Sequence, residues 1–571
     1  MICKMCDDQI GIYDCFAQKD FLKEKLGARW QAKNKVWLVS ANEDNLKVLK
    51  KLGATISQDV YDVLEPKEKA RAIIESIKNK VYTPTFDYNS LFVKEFRGQP
   101  FSLMQHQLLG ASFADTLYEH GYTGCMLSMQ MGTGKTLTAM AMLGRQHKLG
   151  NCNKLLVVCP KVAMEVWRNE FDNFADFGYS IVCLKGTPKK RLDLMNWIDE
   201  NGHGLQVVVI NYEYVYAFQD ILDKWKPDFI LCDESHKIKG VSTQQTKAVT
   251  KIGQKCKFRL CLTGTPLTAN IIDFFSQYKF MDSSIFGLSI TCFKMEYIIT
   301  GMFGEYLRPN PMSFGKFKDK VNSIAFRVTK DECLQLPPAV DITIPVELTC
   351  MRHYKELERD FITWLDNNTN ISVSNALTQT LSLRQMTGGF YYEYDTDEVS
   401  GKKINRRTVF IDDSKVSACM ELIENIINSG EKVVVFAEFQ AEIEKIQEAC
   451  NKAGYKCGTY YGATSDTNRD KLIDGFVNGD IQVFIGQIES AGISITLTVS
   501  KYMIFYSTGY KYGVYDQARA RIHRKGQKNE CTYYHLIASN TIDKKIMKAL
   551  SNKEQLSQSI IDDYRNKNEE N

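Results

Sequence analysis

Three groups of residues in this 571-residue chain have the types and spacing to handle nucleotide phosphates. The first is Met129 to Thr136, Met-Gln-Met-Gly-Thr-Gly-Lys-Thr, between a short apolar stretch and the apolar run Leu137 to Leu143. A strand, a turn through Gly132, Thr133 and Gly134, and a helix start would gather backbone N–H groups around one phosphate. Lys135 would then reach the β/γ-phosphates, and the Thr136 hydroxyl would sit on Mg²⁺. The general P-loop pattern also wants a glycine where Met129 stands. The second group, Asp233-Glu234-Ser235-His236, follows the apolar run Phe229 to Cys232. As a surface turn it would be unremarkable. Behind a buried strand and downstream of a P-loop, Asp233 is placed to hold Mg²⁺ and Glu234 to polarise an attacking water. The third is Gln517, Arg521 and Arg524, which share one face of a helix expected from Asp516 to Arg524. Convergent guanidinium groups suit the charge that develops on a γ-phosphate in transfer. A solvated basic face or a phosphate-backbone patch would give the same pattern, and only the P-loop upstream argues against it.

Buried parallel strands must position these groups. From Phe96 onward apolar runs of strand length alternate with helices: Leu155 to Cys159, Val207 to Ile210, Phe229 to Cys232 and Leu260 to Leu262. Each ends in polar, glycine or proline residues, as at the carboxyl edge of a sheet, where open α/β folds bind ligands. The alternation breaks over 283–405, which carries aromatic and helical segments, Leu336-Pro337-Pro338 and a helix through Leu377 to Met386. It resumes with strands at Val433 to Phe436, Gly458 to Tyr461, Gln482 to Ile485 and Tyr502 to Tyr506, and a helix Gln440 to Ala453. The fold class is therefore α/β, with two parallel-sheet lobes, short helical insertions and a small α+β module in front. The expected divisions are a module at 1–60, a connector at 61–95, a first lobe at 96–282, insertions and connector at 283–405, a second lobe at 406–548 and a terminal helix and tail at 549–571.

Composition sets the outer bounds. Hydrophobic content of 44% and charged content of 25% are those of an ordinary globular protein, and no apolar stretch approaches a membrane span. The net charge of +4 leaves any polyanion to local patches. Seventeen cysteines without paired spacing, many inside apolar runs, read as a reducing compartment. Cys3 and Cys6 have the spacing of half a zinc knuckle, with Cys15 as a third ligand, but structural zinc wants four, which favours free thiols. In the module, Lys19 to Leu26 is a helix ended by Gly27, Trp30 and Trp37 flank a hairpin turn at Lys33-Asn34-Lys35, and Ser40-x-x-Glu43 opens a second helix closed by Gly53. Two readings stay open: a self-contained hairpin packed on helices, or a nucleic-acid contact in which tryptophans stack on bases beside Arg29, Lys33 and Lys35. Pro66 is expected in the first turn of a further helix.

Taken in order, these motifs resemble the Swi/Snf-type ATPases of helicase superfamily two over roughly residues 96 to 555. Gln107 matches the glutamine that reads adenine in that family, and Gly132-Thr133-Gly134-Lys135-Thr136 its P-loop, which does not require the glycine missing at Met129. Cys159-Pro160-Lys161 through Trp167-Arg168-Asn169-Glu170 looks like a segment that touches a DNA strand, which makes Lys161 and Trp167 candidate contacts. Asp233-Glu234-Ser235-His236 is similar to the DExH box, with serine where alanine or glycine is more usual. Leu262-Thr263-Gly264-Thr265-Pro266 matches the motif coupling ATP state to DNA grip, through Thr263 and Thr265. In the second lobe Tyr461-Gly462-Ala463 with Arg469 and Phe476, Ala491-Gly492-Ile493-Ser494-Ile495-Thr496-Leu497, and Gln517-Ala518 with Arg521, Arg524 and Gly526-Gln527 also match. The last of these separates this branch from most superfamily-two helicases, and Gly492 is implied at the nucleotide.

The resemblance implies two RecA-like lobes with ATP between them, Mg²⁺ on Asp233 and Thr136, and ATP-driven movement along duplex or branched DNA, with RNA less expected and no membrane partner. Met129-Gln130 replaces an acidic pair, Gly509-Tyr510-Lys511 replaces Trp-Asn-Pro, and no histone-reading module is visible. Gly-Ala-Arg-Trp followed by Lys-Val-Trp-Leu resembles the module of HARP-type annealing helicases, which implies strand annealing at forks and a bacterial or phage cytoplasm, or a nucleus in a eukaryote. The rivals are a strand-separating DNA or RNA helicase and, in another class, a nucleic-acid-binding scaffold with a decayed ATP site.

Overall fold

The structure, a computed structural model, describes every residue except 7–8, 33, 267–269, 302–305, 334–335, 368–372, 397–402, 463, 492–494 and 562–571. The chain divides into two compact units whose bodies are Met1–Cys333 and Leu334–Leu556.

In the first unit seven strands form one all-parallel sheet. Their spatial order is Tyr179–Cys183, Leu205–Asn211, Lys154–Cys159, Phe229–Asp233, Phe258–Thr263, Gly124–Met129 and Ala325–Val328. Central strand residues such as Leu155 to Cys159 and Leu260 to Leu262 are inaccessible to solvent, as a parallel sheet covered on both faces requires. The order sets Gly124–Met129, Phe258–Thr263 and Phe229–Asp233 side by side, so the P-loop, the Thr263–Pro266 loop and Asp233-Glu234 leave the same edge as neighbours.

The second unit carries six parallel strands in the order Ala339–Val346, Cys531–Ala538, Tyr502–Phe505, Val433–Ala437, Val483–Gln487 and Cys457–Tyr460. These two sheets are the RecA-like lobes that the sequence implies.

The division between the units falls inside 283–405, so this range is not one insertion. Ala325–Val328 closes the first sheet against Gly124–Met129, and Ala339–Val346 opens the second against Cys531–Ala538. The first is only four residues long. The second is an edge strand with Val340 to Thr343 exposed, so neither reads as a buried run. The last helix, Ile542–Ile561, likewise crosses the boundary drawn at 548.

The N-terminal module is richer than its hairpin. Its five strands lie in the order Arg29–Gln31, Val36–Ser40, Gln9–Tyr13, Ile2–Cys6 and Thr55–Ile56, antiparallel except for the last pair. Trp30 pairs with Trp37 across the hairpin, and Gly27 caps the first helix in a left-handed conformation. The second helix, Glu43–Lys51, is capped by Asn42 and not by Ser40, because Asn42 Oδ1 accepts from the Asn45 N–H (2.8 Å) while Ser40 still belongs to its strand. Pro66 lies within the helix Gln58–Lys78 and not at its start. That helix already fills much of the expected connector, and Asp59 near its beginning accepts from the Met5 N–H (2.8 Å).

Ser40 and Asn42 donate to the Ser283 and Ser284 carbonyls (3.1 and 2.7 Å), which fix the module to the first lobe. Cys3 and Cys6 are three apart on one strand and so point to opposite faces. Cys3 is in the core, where burial and the neighbouring Cys15 push its thiol up to about 11. Among the described residues no group of three or more His, Cys, Asp or Glu is arranged to hold a metal ion, and no helix is long and apolar enough to cross a membrane.

Candidate functional site

The strand Gly124–Met129 ends with Met129 still paired to Val328, which is why no glycine is needed there. The turn that follows is made by Gly132 and Gly134, both at positive φ (87° and 83°), and Gly134 caps the helix Lys135–Lys148. Gly134 suits its positive φ, and a Cβ there would also fall 2.0 Å from Gln107 Nε2 and displace that amide.

Two residues of the helix Gln105–Glu119 hold the loop from below. His106 Nε2 lies 2.8 Å from the Thr133 carbonyl, and Gln107 reaches the Gly134 carbonyl (3.5 Å) while its Oε1 accepts from the Met104 N–H (2.8 Å). The Thr133 hydroxyl donates to the Gln130 carbonyl (2.8 Å). The result is a preformed anion cradle at a helix N-terminus, with Lys135 and the half-buried Thr136 in the first helical turn. The Gln107 amide is engaged on the protein itself, at the loop and not at an open base site. A cavity of about 430 Å³ is lined by Gln105 and Leu108 of the same helix and by Thr83 to Asn89.

Asp233 ends the strand between Lys154–Cys159 and Phe258–Thr263, and Glu234 turns the chain in a left-handed conformation (φ 52°, ψ 54°). That conformation costs a non-glycine residue about 1–3 kcal/mol and is characteristic of functional turns. The turn aims Glu234 at the cradle: its Oε1 is 3.4 Å from Lys135 Nζ and its Oε2 3.4 Å from His236 Nδ1. Asp233 accepts from Trp167 Nε1 (3.0 Å) and the Glu234 N–H (3.0 Å), and Tyr212 donates to its carbonyl (2.8 Å). Burial and the charge of Glu234 push Asp233 up to about 6. Burial acts on Glu234 in the same sense, but Lys135 and His236 outweigh it and hold its carboxyl down at about 2.

Several candidate nucleic-acid contacts are placed otherwise. Trp167 is 1% exposed, packed in line with Met164 and Phe171 on the buried face of its helix, and its indole donates to Asp233, so its ring is not presented at the surface. Thr263 and Thr265 are also buried: the Thr263 hydroxyl accepts from the Thr265 N–H (3.1 Å), and a Cβ at Gly264 would meet the Met129 carbonyl and the Met131 nitrogen, so this turn lies against the cradle. Lys161 is exposed. Near it, Arg191 stacks on Tyr214 (3.4 Å), and a hydrogen bond from Arg191, its charge and that of Lys161 hold the Tyr214 hydroxyl below its usual range. Arg191 is itself buried beneath the exposed Tyr214 ring, and the pairing was not visible in the sequence because the two residues lie in separate elements. Trp30 is 52% exposed, while Trp37 packs against the module core at 5.6 Å from it.

In the second unit the arginine helix is shorter than expected. It spans Tyr512–Arg519, so Gln517, Arg521 and Arg524 do not share a helical face. Arg521, 1% exposed, is what ends it: its Nε donates back to the Gln517 carbonyl (2.9 Å) and its Nη1 to the Ile495 carbonyl (3.0 Å). Arg524 reaches the same Ile495 oxygen (3.5 Å), so the two guanidinium groups do converge. Gln527 donates to the Thr498, Ser500 and Ile522 carbonyls, stitching the segment to the residues after Ile495. Arg469 donates to the Gly462 carbonyl (3.2 Å), and Phe476 is wholly buried. Gly492, Ile493, Ser494, Ala463 and Lys33 lie outside the described residues.

A P-loop, an acidic turn two strands away and a second parallel lobe ending in paired arginines define a helicase-like nucleotide-binding protein. Comparison with known proteins narrows this. The SNF2-related domain matches residues 106–388 and the helicase conserved C-terminal domain residues 414–526. The chain thus carries an SNF2-related domain followed by a helicase conserved C-terminal domain. It is 25% identical over 508 residues to the SWI/SNF-related matrix-associated actin-dependent regulator of chromatin subfamily A member 1 of Mus musculus, covering 87% of this chain and 46% of that one. It is 26% identical over 491 residues to the DNA repair and recombination protein RDH54 of Saccharomyces cerevisiae, covering 78% and 52%. The chain thus spans about half the length of these curated relatives. Among solved structures it is similar to the Sulfolobus solfataricus SWI2/SNF2 ATPase core in complex with dsDNA, at 23% identity and a TM-score of 0.40, covering 84% of this chain and 95% of that one.

Proposed function

We propose that this chain is a DNA-dependent ATPase that moves along duplex or branched DNA. The observation that carries the reading is the approach of Lys135 to Glu234 (3.4 Å), with Asp233 beside it, at the shared edge of one parallel sheet. In this reading Lys135 and the loop N–H groups bind the β- and γ-phosphates, Glu234 holds the attacking water in line, and Arg521 and Arg524 place positive charge on the γ-phosphoryl group in transfer. Thr136 and Asp233 are oxygen donors that fit Mg²⁺, which when bound neutralises charge on the phosphates. The cavity beside Gln105 and Leu108 takes the base, since the residues between these two, His106 and Gln107, hold the phosphate loop. Lys161 and the exposed Tyr214, held in place by the buried Arg191, contact the DNA backbone on the first lobe, and Trp30 makes a further contact from the module.

The test is ATP turnover on single-stranded, duplex and forked DNA and on RNA, with Lys135→Ala as the inactive control. Stimulation by duplex or forked DNA supports the reading. Equal rates with and without every nucleic acid would return the scaffold alternative. One observation favours a second reading: a two-stranded ribbon, Phe390–Thr396 paired with Lys403–Phe410, forms a sheet separate from the main one in the second unit. Such a ribbon could part strands. Triplex displacement without fork unwinding supports translocation, and the reverse result supports a strand-separating helicase.

A further inference from the structure

The DExH-like box departs from its family at Ser235, and the structure gives that serine a partner. The Ser235 hydroxyl is completely buried and donates to Gln277 Oε1 (2.7 Å). Gln277, equally buried, lies on the helix Ile272–Met281, and its Nε2 donates to the Pro266 carbonyl (3.1 Å) and to the Asp273 carbonyl of its own helix (2.9 Å). The orientation of the amide is forced. Two carbonyl oxygens flank one end, so that end must be the NH₂ group, which leaves only the oxygen to face Ser235. One turn of the same helix thus joins the residue after Glu234 to the residue after Thr265. A second contact, Ser276 Oγ to the Lys239 carbonyl (2.7 Å), ties the helix to the turn beyond the box. An alanine or glycine at 235 has no hydroxyl to make the first link.

The structure assigns Gln277, with Ser235, the part of a positioning relay that passes a change at the nucleotide carboxylates to the Thr263–Pro266 loop. Every side-chain donor of Ser235 and Gln277 is used. A shift of the strained Glu234 turn, such as phosphate binding at Lys135 would impose, therefore cannot occur without moving Gln277 or breaking a buried hydrogen bond. The Thr263–Pro266 loop in turn packs Gly264 on the cradle backbone, so the relay closes a ring around the phosphate site. This inference rests on the reading of the chain as a DNA-dependent ATPase, and the relay is what makes turnover answer to DNA.

The experiment measures ATP turnover of the full chain with and without duplex DNA, the KM for ATP, and thermal midpoints, for the wild type, Gln277→Leu, Ser235→Ala and the double variant. Gln277→Leu is expected to keep basal turnover and KM for ATP within about twofold while the ratio of stimulated to basal rate falls about fivefold. Ser235→Ala should lower that ratio by a similar factor, and the double variant should lose no more than either single one, because both cut the same link. A wild-type ratio in Gln277→Leu overturns the relay. So do parallel losses of basal and stimulated rate with a lowered midpoint, which would make Gln277 a packing residue. A wild type that duplex DNA does not stimulate overturns the DNA-dependent reading itself, whatever the variants do.

Discussion

At the scale of single residues, the two convergent arginines have unequal duties. Arg521 is buried, caps the helix Tyr512–Arg519 and shares the Ile495 carbonyl with the half-buried Arg524. Hydrogen bonds from a charged group contribute about 1.5–3 kcal/mol each, so truncating Arg521 strips a helix cap and opens a cavity besides removing a charge. We expect Arg521→Ala to lose turnover and also about 3 kcal/mol of stability in the second lobe. Arg524→Ala should lose turnover by about 10³-fold with ATP binding and stability nearly intact. Denaturation midpoints beside single-turnover rates separate the two effects. A wild-type ATPase rate in Arg524→Ala would remove that residue from the catalytic set.

The elements show where a pH dependence resides. The helix Gln440–Lys452 is capped by Glu442, whose Oε2 accepts from the Phe439 N–H (3.1 Å) and from Ser507 Oγ (2.5 Å). Burial dominates over these bonds and over the charge of Lys415 and pushes the carboxyl up to about 7. A raised acid keeps its proton in the folded state while the unfolded chain releases it. Below the unfolded value near 4.5 Glu442 is neutral in stability; from there to about 7 it progressively destabilises the fold, and above that the loss is complete. By linkage the loss amounts to about 3 kcal/mol. Glu442→Gln keeps an acceptor oxygen for Phe439 and Ser507 without the charge. Urea titrations at pH 5 and pH 8 should therefore show the variant gaining on the wild type at the higher pH, and an unchanged difference would place the carboxyl proton elsewhere.

The same elements explain what could be read from the sequence. Leu155 to Cys159 and Phe229 to Cys232 are legible because strands covered on both faces must be unbroken apolar runs. Ala339–Val346 is an exposed edge strand, so its alternation looks like connector. The cradle and acidic turn are local and legible. The end of the arginine helix is not, because it depends on a side chain meeting Ile495, 26 residues away.

For the whole molecule, the phosphate cradle, the acidic turn and the Ser235–Gln277 link all belong to the first unit, while the paired arginines belong to the second. Each unit has its own parallel sheet and buried apolar residues, so each can respond to a ligand separately. A ligand stabilises only what it binds, by about 2.7 kcal/mol at a hundredfold excess over its dissociation constant. ADP ends at the β-phosphate, within reach of Lys135, and has nothing to offer Arg524. Calorimetry with ADP should therefore raise the unfolding transition of the first unit and leave that of the second in place. ADP with aluminium fluoride mimics the γ-phosphoryl group in transfer, the species the arginines are proposed to meet. It should raise both transitions in the wild type and only the first in Arg524→Ala. If the mimic moves only the first transition in the wild type as well, the catalytic charge comes from the first unit alone, and the arginines would be left with their hold on Ile495 as a structural task.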